Sequence, residues 1–434
     1  MAGGLKIEII RRETIKPSSP TPSHLKSFNL SFFDQLSPPI YGPLILFYPK
    51  NDVSSGQRSH QLKQSLSKTV TLFYPLAGRL NDKTIECNDE GAQYLEARYN
   101  GHLSTLQEQP DPETINRFLP AEILSPTAGT WPLLLIQATF FNCGGLAIGI
   151  SISHKLADAI TISIFFKSWA ANSSGHTHQK LLPNLNAASY FPPKDLPLEW
   201  DIAEMRKAVS NTVIQRYVFD ASTVAALKAI TAGSSVQRPT QTEVVTALIW
   251  KCVMAAIRIN TGSASKRFVL IQAVNLRKRA DPPLPENCIG NLVGYFSAHT
   301  NNPTPDLQAL VSQLRKGLTD YTQSSAKRLG GDEAFNVVME HFKESNEFSK
   351  RDDIHLMIST SLCNFGLYKV DFGWGKPSWV TNPNAFQNNL ITLIETREGG
   401  VEVWVCLSKE DMALFERDPE LLAFAKTSIP NSAL

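Results

Sequence analysis

A histidine followed four residues later by an aspartate lies before the middle of this 434-residue chain. His154 ends an apolar run, and Asp158 precedes the next apolar segment. An imidazole titrates near neutral pH, so it can act as a general base toward an alcohol or an amine. Asp158 would orient the histidine or balance its charge. The spacing alone is a weak signal, because nine histidines produce on the order of half an H-x-x-x-D by chance. A core histidine beside a capping carboxylate is the structural alternative.

A second motif, Asp371-Phe372-Gly373-Trp374-Gly375, is far more specific. Such a string arises by chance on the order of once in ten thousand chains of this composition. Two glycines around a tryptophan predict a sharp, tightly packed loop. We therefore predict a structural role for it, without reacting groups. The Asp-Phe-Gly does not indicate a protein kinase, because no Gly-rich loop and no His-Arg-Asp stretch accompany it.

The composition excludes several other classes of protein. Lys+Arg 42 against Asp+Glu 40 gives a net charge of +2, so we expect neither nucleic acid nor a membrane surface as a partner. Six widely spaced cysteines without a C-x-x-C pair predict free, mostly buried thiols and no metal site. No apolar stretch approaches the roughly 18 residues of a transmembrane helix. The chain ends carry no recognisable address, so we expect a cytoplasmic protein.

Hydrophobic periodicity predicts the elements that hold the first motif. Alternating apolar residues predict strands over 133–141 and 146–153, joined as a hairpin by a glycine-rich turn. A buried helix over 159–170 follows directly after Asp158, and a more amphipathic helix is predicted over 59–73. His154 therefore lies between a strand and a helix, where a rigid frame can direct its side chain.

The second half also mixes strands and helices, so we predict a mixed α/β fold. The predicted strands are 215–219, 268–275, 389–397 and 401–407, and the predicted helices are 222–232, 242–256 and 309–328. The pattern dissolves between 175 and 205, where prolines interrupt any period. We therefore predict an N-terminal domain over 1–174 with the HxxxD motif, a crossover linker over 175–205, and a C-terminal domain over 206–434 with DFGWG.

Taken together and in this order, the two motifs resemble those of the plant BAHD acyltransferases. That family joins an HxxxD motif near mid-chain to a DFGWG loop toward the C-terminus. Further segments are similar to the family's signatures: SFFDQLSP at 31–38, FYPLAGRL at 73–80, and NLRKR at 275–279 followed by PENCIGN at 285–291. Five matches in family order make an accident implausible.

The resemblance implies a monomer of two similar-sized α/β domains with mixed sheets, of the CoA-dependent acyltransferase type, with a tunnel at their interface. An acyl-CoA co-substrate and a small-molecule alcohol acceptor would enter from opposite faces, without a permanently bound cofactor. His154 would deprotonate the hydroxyl, which attacks the thioester directly. No acyl-enzyme is needed, so the absence of a G-x-S-x-G motif is consistent with this reaction.

The resemblance also implies roles for single residues. Asp158 would point away from the reacting groups and pair with an arginine, for which Arg277 is the candidate and Arg279 the alternative. Thr360 would donate a hydrogen bond to the developing oxyanion. Leu362 would lie in the acceptor region.

Four residues are candidates for contacts with CoA. Asn291 would line the CoA path. The small-residue basic loop that contains Ser263, Lys266 and Arg267 would hold CoA phosphates, although a solvated turn is an equally good interpretation.

Departures from the family pattern narrow the branch. Many members carry Trp where Leu362 stands, and the anthocyanin malonyltransferases carry Tyr-Phe-Gly-Asn-Cys at the position of residues 288–292. These differences favour the alkaloid acetyltransferase branch. We therefore predict an acetyl-CoA-dependent O-acetyltransferase acting on a plant alkaloid, with a monoterpenoid indole alkaloid as the preferred acceptor. The open alternatives are a malonyl- or longer acyl-CoA donor, a terpenoid or volatile alcohol acceptor, and a non-catalytic relative that binds a ligand.

Overall fold

A computed structural model describes residues 6–125, 132–175, 182–196, 200–262, 267–302, 304–331 and 333–427. The strands in these ranges are β1 (Ile7–Ile15), β2 (Ser27–Asn29), β3 (Tyr41–Tyr48), β4 (Arg79–Asn81), β5 (Thr84–Glu86), β6 (Ala92–Tyr99), β7 (Leu134–Phe141), β8 (Leu146–Ser153), β9 (Thr212–Phe219), β10 (Arg267–Asn275), β11 (Val293–Thr300), β12 (Ile354–Ser361), β13 (Trp379–Thr381), β14 (Leu390–Glu395), β15 (Val401–Ser408) and β16 (Lys426–Thr427).

The α-helices in the same ranges are α1 (Phe32–Leu36), α2 (Ser55–Leu72), α3 (Leu103–Glu108), α4 (Pro112–Asn116), α5 (Ala159–Ser174), α6 (Ala187–Tyr190), α7 (Ile202–Val209), α8 (Ala221–Thr231), α9 (Gln241–Thr261), α10 (Leu307–Ser324), α11 (Ala334–Ser349), α12 (Lys409–Phe415) and α13 (Pro419–Phe424). Among these described helices, none combines the length and the apolar character needed to cross a membrane.

The chain divides into two compact units. The first consists of Met1–Ala203, Pro285–Leu292 and Asn364–Asn384, and the second of Glu204–Leu284, Val293–Cys363 and Ala385–Leu434. The sequence predicts a single crossover at 175–205 and places the DFGWG motif in the C-terminal domain. The structure instead places that motif in the first unit.

The main sheet of the first unit explains this difference. Within the described residues its strand order is β1-β6-β7-β8-β3-β13. The short strand β13 pairs antiparallel with β3, and Trp379 stacks on Phe47 at a centroid distance of 4.9 Å. A strand of three residues carries too little pattern to be predicted, yet it returns the chain to the first sheet.

The predicted β7–β8 hairpin is confirmed. Both strands are buried along their whole length, which accounts for their nearly continuous apolar sequence. Helices α2 and α5 pack against each other, with the rings of Phe73 and Phe165 edge to face at 5.4 Å. A small sheet with strand order β2-β5-β4 completes the sheets described for this unit.

The second unit is built on another mixed sheet. Its described strand order is β11-β10-β12-β14-β15-β9-β16, in which β10, β12 and β14 run parallel and the other pairs run antiparallel. The predicted late hairpin is confirmed as β14 and β15. The predicted fold class, two units of mixed-sheet α/β type, is therefore confirmed.

The cysteines are free thiols, as predicted. Five of them are buried and Cys143 is partly exposed.

Candidate active site

The HxxxD turn (residues 154–158) connects the end of β8 to the start of α5. Strand β8 lies between β7 and β3 in the main sheet, so the turn starts from a buried, hydrogen-bonded strand. The backbone N–H of His154 donates to the carbonyl of Ile40 at 2.8 Å. The carbonyl of His154 accepts a hydrogen bond from Nδ2 of Asn291 at 2.5 Å. Both backbone polar groups of the histidine are therefore held by neighbours.

The ring of His154 has a nitrogen that the described residues around it leave unused. The residue keeps part of its surface exposed, while its Nδ1 is buried and has no hydrogen-bond partner among the described residues. Burial lowers the pKa of His154, and the nearby charge of Asp158 opposes that fall. A lower pKa keeps the ring neutral at pH 7, which is the form that a general base needs.

Asp158 is the N-cap of α5. Its carboxylate accepts the backbone N–H of Thr161 at 2.7 Å, and the residue is 2% exposed. A carboxylate in this position also interacts favourably with the helix N-terminus. The capping carboxylate that the sequence offered as the structural alternative is therefore present, directly after the turn that holds His154.

The two candidate arginine partners of Asp158 belong to the second unit. Arg277 is buried in the second unit, where its Nη1 donates to Oδ1 of Asn275 at 3.2 Å. Arg279 donates from Nη1 to the carbonyl of Asn275 at 2.9 Å. The pairing of Asp158 with either arginine stays a prediction.

Asn291 lies beside the HxxxD turn and is 3% exposed. Gly290 before it adopts φ of +138°, a conformation that residues with side chains rarely take, and both of its backbone polar groups hydrogen-bond to Oγ1 of Thr161 at 3.2 Å. The side-chain Nδ2 of Asn291 donates hydrogen bonds to the carbonyl of His154 and to Oδ1 of Asp34. Its predicted role along the CoA path stays a prediction.

Asp34 is the residue that sequence reasoning missed. It belongs to the SFFDQLSP segment, which was recognised as a family signature without a role for its aspartate. The structure places its carboxylate in α1, 1% exposed and hydrogen-bonded to Asn291. A buried carboxylate so close to the HxxxD turn had no local signal, since its partner lies 257 residues away in the chain.

Lys155 makes a second connection between α1 and the turn. Its Nζ donates to the carbonyl of Gln35 at 2.9 Å. Burial lowers the pKa of Lys155 to about 8, and the charge of Asp34 opposes this shift.

The other predicted site residues lie in the second unit. Thr360 is on β12, opposite Thr392 of β14, and Leu362 is buried just after the strand. Arg267 begins β10, and its Nε donates to Oδ1 of Asn301 at 3.3 Å. Ser263 and Lys266 fall outside the described residues. The roles proposed for these residues toward the oxyanion, the acceptor and CoA stay predictions.

The DFGWG loop (residues 371–375) is held by its own hydrogen bonds. Oδ1 of Asp371 accepts the backbone N–H groups of Gly373 at 2.8 Å and Gly375 at 3.0 Å. Both glycines have positive φ, +103° and +108°, which explains why residues with a Cβ are disfavoured there.

Aromatic packing and carbonyl contacts attach the DFGWG loop to the first unit. Phe372 is fully buried, edge to face with Trp169 of α5 at 5.0 Å and stacked on Trp374 at 5.4 Å. Its carbonyl accepts hydrogen bonds from Nε2 of Gln61 and Oγ of Ser173, both at 2.9 Å. The loop therefore contacts both α2 and α5, and α5 is the helix that follows the HxxxD turn.

Comparison with known proteins gives a consistent result. A sequence profile described as the Transferase family matches residues 5–422. Limonoid 7-O-acetyltransferase of Citrus sinensis is 38% identical over 450 residues, covering 96% of this chain and 98% of that protein. Salutaridinol 7-O-acetyltransferase of Papaver somniferum is 35% identical over 462 residues, covering 94% and 96%. The crystal structure of vinorine synthase, an enzyme known in Rauvolfia serpentina, superimposes with a TM-score of 0.83 at 34% identity, covering 97% of this chain and 99% of that one.

Proposed function

Because this chain belongs to the BAHD acyltransferase family, whose members use acyl-CoA as co-substrate, we propose that it transfers an acetyl group from acetyl-CoA to a hydroxyl of a plant specialised metabolite. The acetyl donor is supported by the names of the two relatives described above, both of which are acetyltransferases. The observation that carries the proposal is the HxxxD turn, where a fixed backbone presents an imidazole with a lowered pKa.

In the proposed reaction, His154 takes the proton of the acceptor hydroxyl as the oxygen attacks the carbonyl carbon of the thioester. The new C–O bond forms, the C–S bond breaks, and the CoA thiolate takes the proton back from the imidazolium. His154 therefore ends the cycle neutral, and no covalent enzyme intermediate forms. A positioned base of this kind contributes about 10²- to 10⁴-fold to a rate.

Two acceptor classes deserve testing side by side. The sequence motifs favour a hydroxylated alkaloid, most of all a monoterpenoid indole alkaloid, and the likeness to salutaridinol 7-O-acetyltransferase and vinorine synthase supports that choice. The 38% identity to limonoid 7-O-acetyltransferase favours a terpenoid alcohol instead. One panel of alcohols can include both classes.

The proposal is tested by turnover with acetyl-CoA against a panel of alkaloid and limonoid alcohols. CoA release and the acetylated product are both measured, and malonyl-CoA and a longer acyl-CoA compete in parallel reactions. We expect acetyl-CoA to be preferred, and His154→Ala to lose about 10²- to 10⁴-fold in kcat. His102→Ala is the control, because His102 is an exposed histidine of the same unit.

Two results would contradict the proposal. Equal turnover by His154→Ala and the unchanged protein would exclude His154 as the base. Binding of acetyl-CoA and an alcohol in calorimetry, without CoA release from any donor, would instead indicate a non-catalytic relative.

A further inference from the structure

The carboxylate of Asp34 has more hydrogen bonds than a helix cap requires. Oδ2 accepts from the backbone N–H and the hydroxyl of Ser31, at 3.0 and 2.5 Å. Oδ1 accepts from the backbone N–H and Nδ2 of Asn291, at 2.8 and 3.2 Å. The bond from the backbone N–H of Ser31 belongs to the capping box of α1, in which the N–H of Asp34 donates in return to the Ser31 hydroxyl. The bonds to Asn291 reach a distant part of the chain.

Asn291 carries this connection to the HxxxD turn. Its Nδ2 donates one hydrogen to Asp34 and one to the carbonyl of His154. An amide group has two such hydrogens, so these two bonds use both of them. The orientation of the Asn291 side chain is therefore set by Asp34, and the carbonyl of His154 is held by that orientation.

Lys155 makes a second connection between α1 and the HxxxD turn, this time through a side chain of the turn. Asp34 acts from α1 on the turn, and Lys155 acts from the turn on the carbonyl of Gln35 in α1. Two neighbouring residues of α1 are thus connected to two neighbouring residues of the turn: Asp34 to His154 through Asn291, and Gln35 to Lys155 directly. Helix α1 lies against the turn in one fixed register.

The other capping boxes in the described residues show that this arrangement is unusual. In α2 the box of Ser54 and Gln57 is exposed and uses a neutral amide. In α9 the box of Thr240 and Glu243 uses a carboxylate, but Arg315 balances its charge at 2.7 Å. The charge of Lys155 acts on Asp34, but its Nζ donates to the carbonyl of Gln35, and no direct ion pair of Asp34 occurs among the described contacts. Burying a carboxylate without a direct ion pair is expensive, so a purely capping role is better filled by a neutral residue.

We propose that Asp34 is a positioning residue for His154, acting through Asn291 to fix the backbone from which the imidazole projects. This inference rests on the proposed function of His154 as the base. A displacement of about 1 Å in a reacting group can reduce a rate by roughly 100-fold, so the loss of Asp34 should reduce kcat without removing a group that touches substrate.

The main test is Asp34→Asn, which keeps the shape of the side chain and removes its charge. We expect kcat to fall about 10- to 100-fold, while KM for acetyl-CoA and for the alcohol found in the panel stays within about twofold. Ser54→Ala, which removes the N-cap of an exposed box in the same unit, should leave kcat unchanged. If Asp34→Asn affected only folding stability, its kcat per folded molecule would stay unchanged, as we expect for Ser54→Ala.

A double-mutant cycle tests the route through Asn291. If Asp34 acts only through that amide, Asp34→Asn combined with Asn291→Ala should have the kcat of Asn291→Ala alone. If Asp34→Asn does not fold, Ser31→Ala replaces it, because this change keeps the charge of Asp34 and removes the hydroxyl that donates to the carboxylate. It also removes the N-cap of α1, a loss that Ser54→Ala matches in α2. We expect Ser31→Ala to lower kcat by about two- to fivefold, again with KM unchanged.

Three results would overturn the inference. They are a folded Asp34→Asn (or Ser31→Ala) protein with unchanged kcat, equal losses in kcat and in affinity for both substrates, and fully multiplicative effects in the double mutant. If these occur while His154→Ala is inactive, only the role of Asp34 is wrong. If His154→Ala is fully active, the base assignment fails and the role of Asp34 fails with it.

Discussion

The two sequence motifs lie in the same unit but use their polar groups in opposite ways. In the DFGWG loop, the carboxylate of Asp371 accepts hydrogen bonds from the loop's own backbone, and Phe372 lies among aromatic rings. In the HxxxD turn, the backbone of His154 is held from outside, while Nδ1 of its ring has no partner among the described residues.

From this difference we predict a structural role for the DFGWG loop and a chemical role for the HxxxD turn. In the DFGWG loop the carboxylate is used by the loop's own backbone and the aromatic rings pack on one another, which stabilises the loop; its remaining unsatisfied polar atom among the described residues is Nε1 of Trp374, an indole N–H that cannot act as a base. In the HxxxD turn the backbone is fixed, the histidine is partly exposed as a residue, and Nδ1 of its ring is buried without a hydrogen-bond partner among the described residues. We expect this side chain to be positioned by the turn and to exchange a proton. Changes in the loop should therefore affect stability, and changes in the turn should affect turnover.

Among the substitutions that test this comparison, we expect the largest loss in the free energy of unfolding at Phe372. Phe372→Ala removes a fully buried ring and should lower the free energy of unfolding by about 3–5 kcal/mol. Denaturant unfolding measures this loss, and kcat per folded molecule should stay within about threefold of the unchanged protein. Phe372→Leu, which keeps most of the volume, should lose about 1–1.5 kcal/mol. A loss of kcat in folded Phe372→Leu comparable to that of His154→Ala would contradict the separation.

If His154 in the HxxxD turn is the base, its protonation should determine the pH dependence of kcat/KM. Burial lowers the pKa of His154 below the ordinary value of 6.5. The neutral ring is the active form, so activity should be full at pH 7 and should fall tenfold per pH unit only below that lowered pKa. Steady-state rates between pH 5 and 8 measure this, with circular dichroism at each pH to show that the protein stays folded. An acid limb centred above pH 6.5 would mean that another group is the base.

The sequence was sufficient where the controlling interactions are local. Period-2 patterning and β-branched apolar runs predicted the β7–β8 hairpin, and the start of α5 at Ala159 matched the predicted start of the helix. The family and the two-domain fold were predicted by the resemblance of five short segments to known signatures, which can be recognised without knowing any tertiary contact.

The sequence was insufficient where distant segments meet. The predicted domains failed at the DFGWG loop, since β13 pairs with β3 from the other end of the chain. The contribution of Asp34 was missed for the same reason, because no pattern around residue 34 indicates a contact with Asn291. Pairings of this kind depend on tertiary packing, which periodicity does not encode.

The smallest expected effect is at Asp371, and it sharpens the comparison because Asp371 and Asp158 are both aspartates that accept backbone N–H groups. Asp371→Ala should lower the free energy of unfolding by about 1–2 kcal/mol, since two N–H groups lose their charged acceptor in a partly exposed loop. Asp371→Asn keeps an acceptor oxygen and should lose only a few tenths of a kcal/mol. Denaturant unfolding of both variants, with kcat measured on the folded fraction, checks this. If Asp371→Asn lowered kcat tenfold while its unfolding curve stayed unchanged, the loop would take part in the chemistry, and the division between the two motifs would be wrong.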